Sequence, residues 1–237
     1  MPFKVTRVLN SRQPIAHLIL MQCTAGLFGG DAVECSIRVE SGARVRITQQ
    51  SATRIHPSQD RLVTQRNQIF VGTGGELQLY LEPVIPFADS RLWQRTMLNV
   101  EPGGMLYFWE SFMTGRVGRG ESWQFREFAS ETQLCSAGRL TYLDRFHLLP
   151  NSLQRSAWAM GNHNYWGTGL YVGEHAGCFA SRLHQILPEA GVDSLAGDVA
   201  AARVVSDSGP DFHRCREMFC RLADRDLLPN RAATNCG

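Results

Sequence analysis

The feature that most constrains the fold is an alternation of apolar and polar residues that holds from Ala32 to about Arg145. Val33, Cys35, Ile37 and Val39 alternate with polar neighbours. Val45 and Ile47 follow the turn Ser41-Gly42, and Leu77, Leu79 and Leu81 alternate with Gln78, Tyr80 and Glu82. A period of two sets every second side chain on one face of a pleated strand, whereas a helix needs a period near 3.6 to bury a face. Turn signals recur roughly every ten residues, the spacing of an all-β domain. They are His56-Pro57-Ser58, Gly72-Thr73-Gly74-Gly75, Glu101-Pro102-Gly103-Gly104 and Ser136-Ala137-Gly138. No helical period interrupts this stretch, and no internal repeat of solenoid length stands out.

The last third reads differently. Phe212, Cys215, Phe219, Leu222 and Ala223 recur at spacings of three and four, so Asp211 to Asp226 is predicted to form an amphipathic helix, capped near Asp211 with Pro210 just before it. Ser181 to Glu189 is a shorter helical candidate broken by Pro188, Ala196 to Val205 fits helix or strand, and Asn230 to Gly237 is expected to fray. The expected organisation is one domain over residues 1–237, β-rich over 1–180 and helix-containing over 181–237.

Composition excludes several classes of function. Hydrophobic residues make up 43% and charged residues 19% of the 237, and the net charge is +2. The basic residues are scattered singly, so neither nucleic acid nor an anionic membrane is expected as a partner. No apolar stretch reaches the roughly 18 residues of a membrane span. The start, Met1 to Arg7, does not read as a signal peptide, so a cytoplasmic location is expected. Seven cysteines, an odd number with no Cys-x-x-Cys pair, argue against a zinc ribbon or a disulfide framework; most are expected to be buried as small apolar residues.

Three segments carry further information. Cys23 to Asp31 has three glycines in five positions, with Gly29-Gly30 suited to a hairpin turn and Asp31 to its cap. It lacks the Gly-Lys-Ser/Thr of a phosphate loop. Gly115 to Glu121 combines Gly115, Gly118 and Gly120 with Arg116, Arg119 and Glu121; it fits either a hairpin loop with a solvated ion pair or a polar recognition surface. Pro83 to Ser90 carries two prolines three apart, which break a ladder and force an extended crossing anchored by Phe87. No His-x-His or His-x-x-x-His spacing marks a preformed metal site, so metal ligands stay unassigned. A carboxylate-lined polar path could draw on Asp31, Glu34, Asp89, Glu110, Glu121 and Asp144. The chain has no Gly-x-Ser-x-Gly elbow, dinucleotide fingerprint or His-Glu-x-x-His motif, and no catalytic residue is assigned. Two other functions fit a β scaffold: a glycoside hydrolase using Asp31 and Glu121 as its carboxylate pair, and a plain protein-binding module.

Taken together the segments resemble the UreD/UreH family of urease accessory proteins. Cys23 to Asp31 has the form of the family's Thr-Pro/Ala-Gly-Gly-x-x-Gly-Gly-Asp motif, and Gly42-Ala43 followed by Thr48 to His56 is similar to its next strand. Gly75 to Leu77 with Pro83, Pro86 and Phe87, then Gly115, Arg116, Gly120 and Glu121, then Gly138 to Leu140 with Asp144 and Arg145, follow in the family's order. The chain departs from the pattern in reading Thr24-Ala25-Gly26 for Thr-Pro-Gly-Gly and His56 for Tyr, and its short start is expected to leave a sheet edge unpaired. The resemblance implies a non-catalytic cytoplasmic protein built of stacked sheets in a β-helix-like arrangement with one or two C-terminal helices. It implies binding to apo-urease and to the F-type and G-type accessory proteins, the latter a GTPase, for insertion of nickel. It also implies no tightly bound cofactor and only transient nickel. Gly29, Gly30, Asp31, Arg116, Gly120 and Glu121 fall on motif positions and are expected to be structural or partner-facing.

Overall fold

The computed structural model describes residues 3–9, 15–150, 163–195 and 197–226. Two sheets face each other. The first runs in the order β1 (Phe3–Val5), β2 (Ala16–Gln22), β4 (Arg44–Gln49), β7 (Glu76–Tyr80), β10 (Met105–Met113), β13 (Tyr165–Val172), β15 (Val199–Ser206), β14 (Gly191–Ser194). The second runs β12 (Arg139–Leu148), β11 (Glu127–Ser136), β9 (Arg91–Val100), β6 (Val63–Val71), β3 (Ala32–Val39). Two short strands, β5 (Thr53–Ile55) and β8 (Val84–Pro86), pair in parallel, and β8 joins β10.

From β3 to β11 the chain alternates between the sheets, and each strand lies parallel to the one laid down a turn earlier. That is a β-solenoid, with antiparallel strands closing each side. Val39 stands beside Val71, Val71 beside Val100, and Val100 beside Ser136. The sequence therefore does repeat, but with steps of unequal length and no shared consensus, which is why no period stands out in it. The turn signals are the visible trace. Gly42, Gly74, Gly103 and Gly138 all adopt positive φ, and the turns bond to the rung before: Gly72 N–H donates to Val39 O, Glu101 N–H to Val71 O and Ala137 N–H to Val100 O. Among the described residues β3 pairs only with β6, leaving it at the edge of its sheet, while the other sheet continues past β4 into β2 and β1.

The described residues also include two α-helices, α1 (Ala176–Ile186) and α2 (Gly209–Asp226). The second follows the predicted helix closely. The first begins five residues before Ser181 and ends before Pro188; of the stretch Ala196 to Val205, which by sequence fits helix or strand, Ala196 lies outside the described residues and the part from Val199 onward forms strand β15. The C-terminal part from residue 181 thus contributes two strands to the first sheet as well as helix. Residues 230–237, expected to fray, lie outside the described set.

Alternation along β10 divides the interior. Tyr107 and Trp109 pack against Phe179, Phe212 and Phe219 of the helices, while Leu106 and Phe108 face Ile69 and Leu98 of the second sheet. Further along, Phe112 joins Phe125 and Phe128 in a separate cluster. Cys23 is exposed and Cys35, Cys135, Cys215 and Cys220 are half-buried free thiols. This corrects the expectation of burial: Cys35 sits on an edge strand, and Cys215 and Cys220 flank the buried stripe of α2.

Candidate functional site

Two features bring chemistry together. The first collects the predicted motif residues at one end of the solenoid. Gly29-Gly30 is not a hairpin turn, because β2 and β3 belong to different sheets and the segment crosses between them. A Cβ on Gly29 would collide with the Ser58 carbonyl, so the crossing packs tightly on the next loop. Gly30 adopts positive φ with Arg61 against it. Asp31 caps the turn, accepting the Phe28 N–H through Oδ2 at 2.8 Å. Asp31→Ala is expected to cost about 1 kcal/mol, read as a lower urea midpoint with an unchanged slope.

The Gly115 to Glu121 segment is likewise a crossover, from β10 to β11, built around a 3-10 turn at Val117–Arg119 with Gly120 left-handed as its C-cap. Its ion pair is not solvated as predicted for a hairpin. Glu121 is buried, accepts from the Ala88 N–H, and takes Nη2 of Arg116 at 2.5 Å. Arg116 in turn lies over the Phe87 ring at 4.2 Å; Phe87 meets His56 edge-on, and His56 stacks on the exposed Phe28 at 4.3 Å. His56 also bonds through Nε2 to Ala25 O at 3.1 Å. Gln59, Asp60, Asp89 and Trp123 hold positive φ in these same loops, a concentration of backbone strain typical of functional surfaces. Asp31 and Glu121 are tied to separate partners, and no interaction among the described residues joins them as a carboxylate pair.

The second feature is a band of polar side chains inside the sandwich. On the second sheet the inward rows are Gln65-Gln94-Ser130 and Asn67-Thr96-Thr132, one residue per rung. Gln94 Nε2 donates to Ser130 Oγ at 2.8 Å, and Asn67 Nδ2 to Thr96 Oγ1 at 3.2 Å. On the first sheet Glu110 stands beside Thr168, and Thr168 beside Arg203, with Gln49 in the same band. Apolar clusters close the band on both sides. A cavity follows it across the sandwich, from Phe3, Leu20, Cys35 and Ile37 at the β1–β3 side to Asp144, Trp166 and Arg203 at the β12–β15 side. It has about 60 Å³ of room for water centres, enough for several waters.

Glu110 crosses the space between the sheets to accept the Thr132 hydroxyl at 2.6 Å. Burial, partly countered by that hydrogen bond, pushes its carboxyl up to about 7, and the nearby Asp144 charge adds to the rise. Asp144 holds Nη2 of Arg203 at 2.5 Å. Of the six carboxylates considered for a polar path, the structure places only Glu110 and Asp144 here. Asp31, Glu34 and Asp89 are largely exposed, and Glu121 is locked in the loop stack. Glu82 lines the cavity too and was missed, as were the glutamines and threonines. Their signal is polar residues at inward strand positions, legible only once the register is known. Among the described residues no three His, Cys, Asp or Glu side chains converge, and no helix is long and apolar enough to cross a membrane.

Comparison with known proteins agrees with this architecture's motif content. The family described as UreD urease accessory protein matches residues 1–235. The chain is 32% identical over 230 residues to the urease accessory protein UreD of Deinococcus radiodurans, covering 96% of this chain and 83% of that one. It is 28% identical over 241 residues to the UreD of Mycolicibacterium gilvum, covering 97% and 87%, and 24% identical over 231 residues to the UreH of Helicobacter acinonychis, covering 95% and 87%. A match along nearly the whole chain shows that this protein belongs to the UreD family of urease accessory proteins.

Proposed function

We propose that the chain is a non-catalytic cytoplasmic scaffold of urease maturation. It holds apo-urease together with the F-type and G-type accessory proteins while Ni²⁺, its cargo, crosses the polar band on the way to the urease metallocentre. The observation that carries this reading is the band itself. A row of polar residues running through an apolar interior is costly wherever its groups lack partners, and the buried Gln65 side-chain oxygen has none among the described residues. Neutral amides and hydroxyls are weak donors for Ni²⁺ compared with imidazole or thiolate, which suits transit better than storage. The loop stack of Phe28, His56, Phe87 and Arg116, held by Glu121 and by the turns at Gly29, Gly30, Asp31 and Gly120, is the partner-facing platform. Neither a tightly bound cofactor nor nucleic acid nor a membrane is part of this function.

The test replaces Ser130 by leucine, which fills the middle of the band without touching the loop stack. Pull-down with apo-urease and the accessory proteins should be unchanged, while nickel content and urease activation drop by about tenfold or more. Full activation by a folded Ser130→Leu variant would refute passage through the band, and loss of all partner binding by the parent chain would refute the scaffold.

A further inference from the structure

The β12–β15 end of the band holds a charge that a simple cation conduit would not contain. We propose that Arg203 is a latch on the passage: its guanidinium occupies the carboxylate that a travelling divalent cation needs at this end, so metal passes only when Arg203 releases Asp144. The proposal deepens the passage reading and rests on it.

Arg203 projects from β15 across to the opposite sheet. It donates to Asp144 Oδ2 at 2.5 Å and to the Tyr142 hydroxyl at 3.4 Å, and its guanidinium lies 4.4 Å from the centre of the Trp166 ring. Three contacts on a planar, permanently charged group fix its place. Thr168 is its neighbour in register, and Glu110 follows on the next strand. The remaining polar groups around the passage are not saturated: the Gln65 side-chain oxygen has no partner among the described residues.

With Arg203 in place, Asp144 is neutralised and a second cation is repelled. With it withdrawn, Asp144 and Glu110 present two carboxylates beside Thr132 and Thr168, an oxygen-rich set that a divalent ion can bridge. The side chains of Arg203 and Asp144 are 32% and 22% exposed, so an acidic group on a docked partner can reach the guanidinium and compete for it.

The experiment is calorimetric titration and equilibrium dialysis of the full chain with Ni²⁺ alone. Arg203→Gln is expected to bind one Ni²⁺ per chain about tenfold or more tighter than the parent. Arg203→Lys, which keeps the charge, should stay near the parent, and Arg203→Gln combined with Asp144→Asn should lose the gain. Trp166→Leu, which removes the ring beneath the guanidinium and keeps both charges, should gain a smaller part of it and serves if Arg203→Gln does not fold. The latch is overturned if these folded variants bind Ni²⁺ no tighter than the parent, or if the double variant keeps the gain. If the gain appears and Ser130→Leu nevertheless activates urease fully, the masked carboxylate site stands and the passage reading falls.

Discussion

Exchanging Glu110 for glutamine is expected to stabilise the folded chain by about 3 kcal/mol near pH 8 and to leave it almost unchanged near pH 4. The carboxyl titrates at 4.5 when solvated and at about 7 in the folded chain, mainly because burial disfavours its charged form. The folded state therefore holds a proton that the unfolded state has released. Stability falls as pH rises through the window between those two values, and the penalty is complete above the upper one. Glutamine keeps the shape and cannot ionise, so the variant lacks this slope. Other groups titrate as well, and the quantity to measure is the difference between parent and variant in urea unfolding at several pH values. A difference that stays flat from pH 4 to 8 would show that Glu110 is solvated rather than enclosed. On the proposed passage of Ni²⁺ through the band, the same group should make that passage pH-dependent, since a protonated carboxyl is a poor ligand.

The second large effect lies on the other face of the same strand. Trp109→Ala should cost about 4 kcal/mol, because it empties a fully buried site. The Trp109 ring meets Phe212 at 5.9 Å and Phe219 at 5.6 Å, and it fills the space above Gly167, where a Cβ would strike it. These contacts seat α2 on the first sheet. Trp109→Phe should cost clearly less, since the indole nitrogen has no partner among the described residues to lose. Urea unfolding measures both variants. Limited proteolysis should cut the alanine variant first within Gly209–Asp226, and a variant as resistant as the parent would mean that α2 is held elsewhere.

How much of this could be read in advance depended on whether the signal was local. The period-two runs around Val33, Val45 and Leu77 marked strands correctly because the alternation is written locally, even in β7, whose polar side chains Glu76 and Gln78 are buried along with Leu77 and Leu79. Helix α2 was legible from the three- and four-residue spacing of Phe212, Cys215 and Phe219, and the family resemblance supplied the stacked, helix-like arrangement of the sheets. Pairing was not legible. Gly29-Gly30 and Gly115 to Glu121 looked like hairpins because a turn between two strands carries the same glycines whether the chain folds back or crosses to another sheet. Helix α1 was placed late because Ala176 and Phe179 precede the more obvious Leu183 and Ile186. The candidate site divided the same way. Arg116 and Glu121 did pair, five residues apart, whereas Asp144 and Arg203 are separated by 59 residues and meet only across the sandwich. Gln65 and Gln94 interrupt apolar alternation at inward positions. In a bare sequence that resembles noise; in register it is a stripe.

The stacked turns have a consequence for engineering. Each coil from β3 to β11 supplies one slice of the wall of the polar band at a spacing of about 4.8 Å, and its three parallel steps, with one further step to the antiparallel β12, set the span of the band at roughly 19 Å. Bore and length are thus under separate control. Swapping one inward side chain alters the calibre at a single level, while grafting in or excising a whole coil would lengthen or shorten the duct and leave its cross-section as it was.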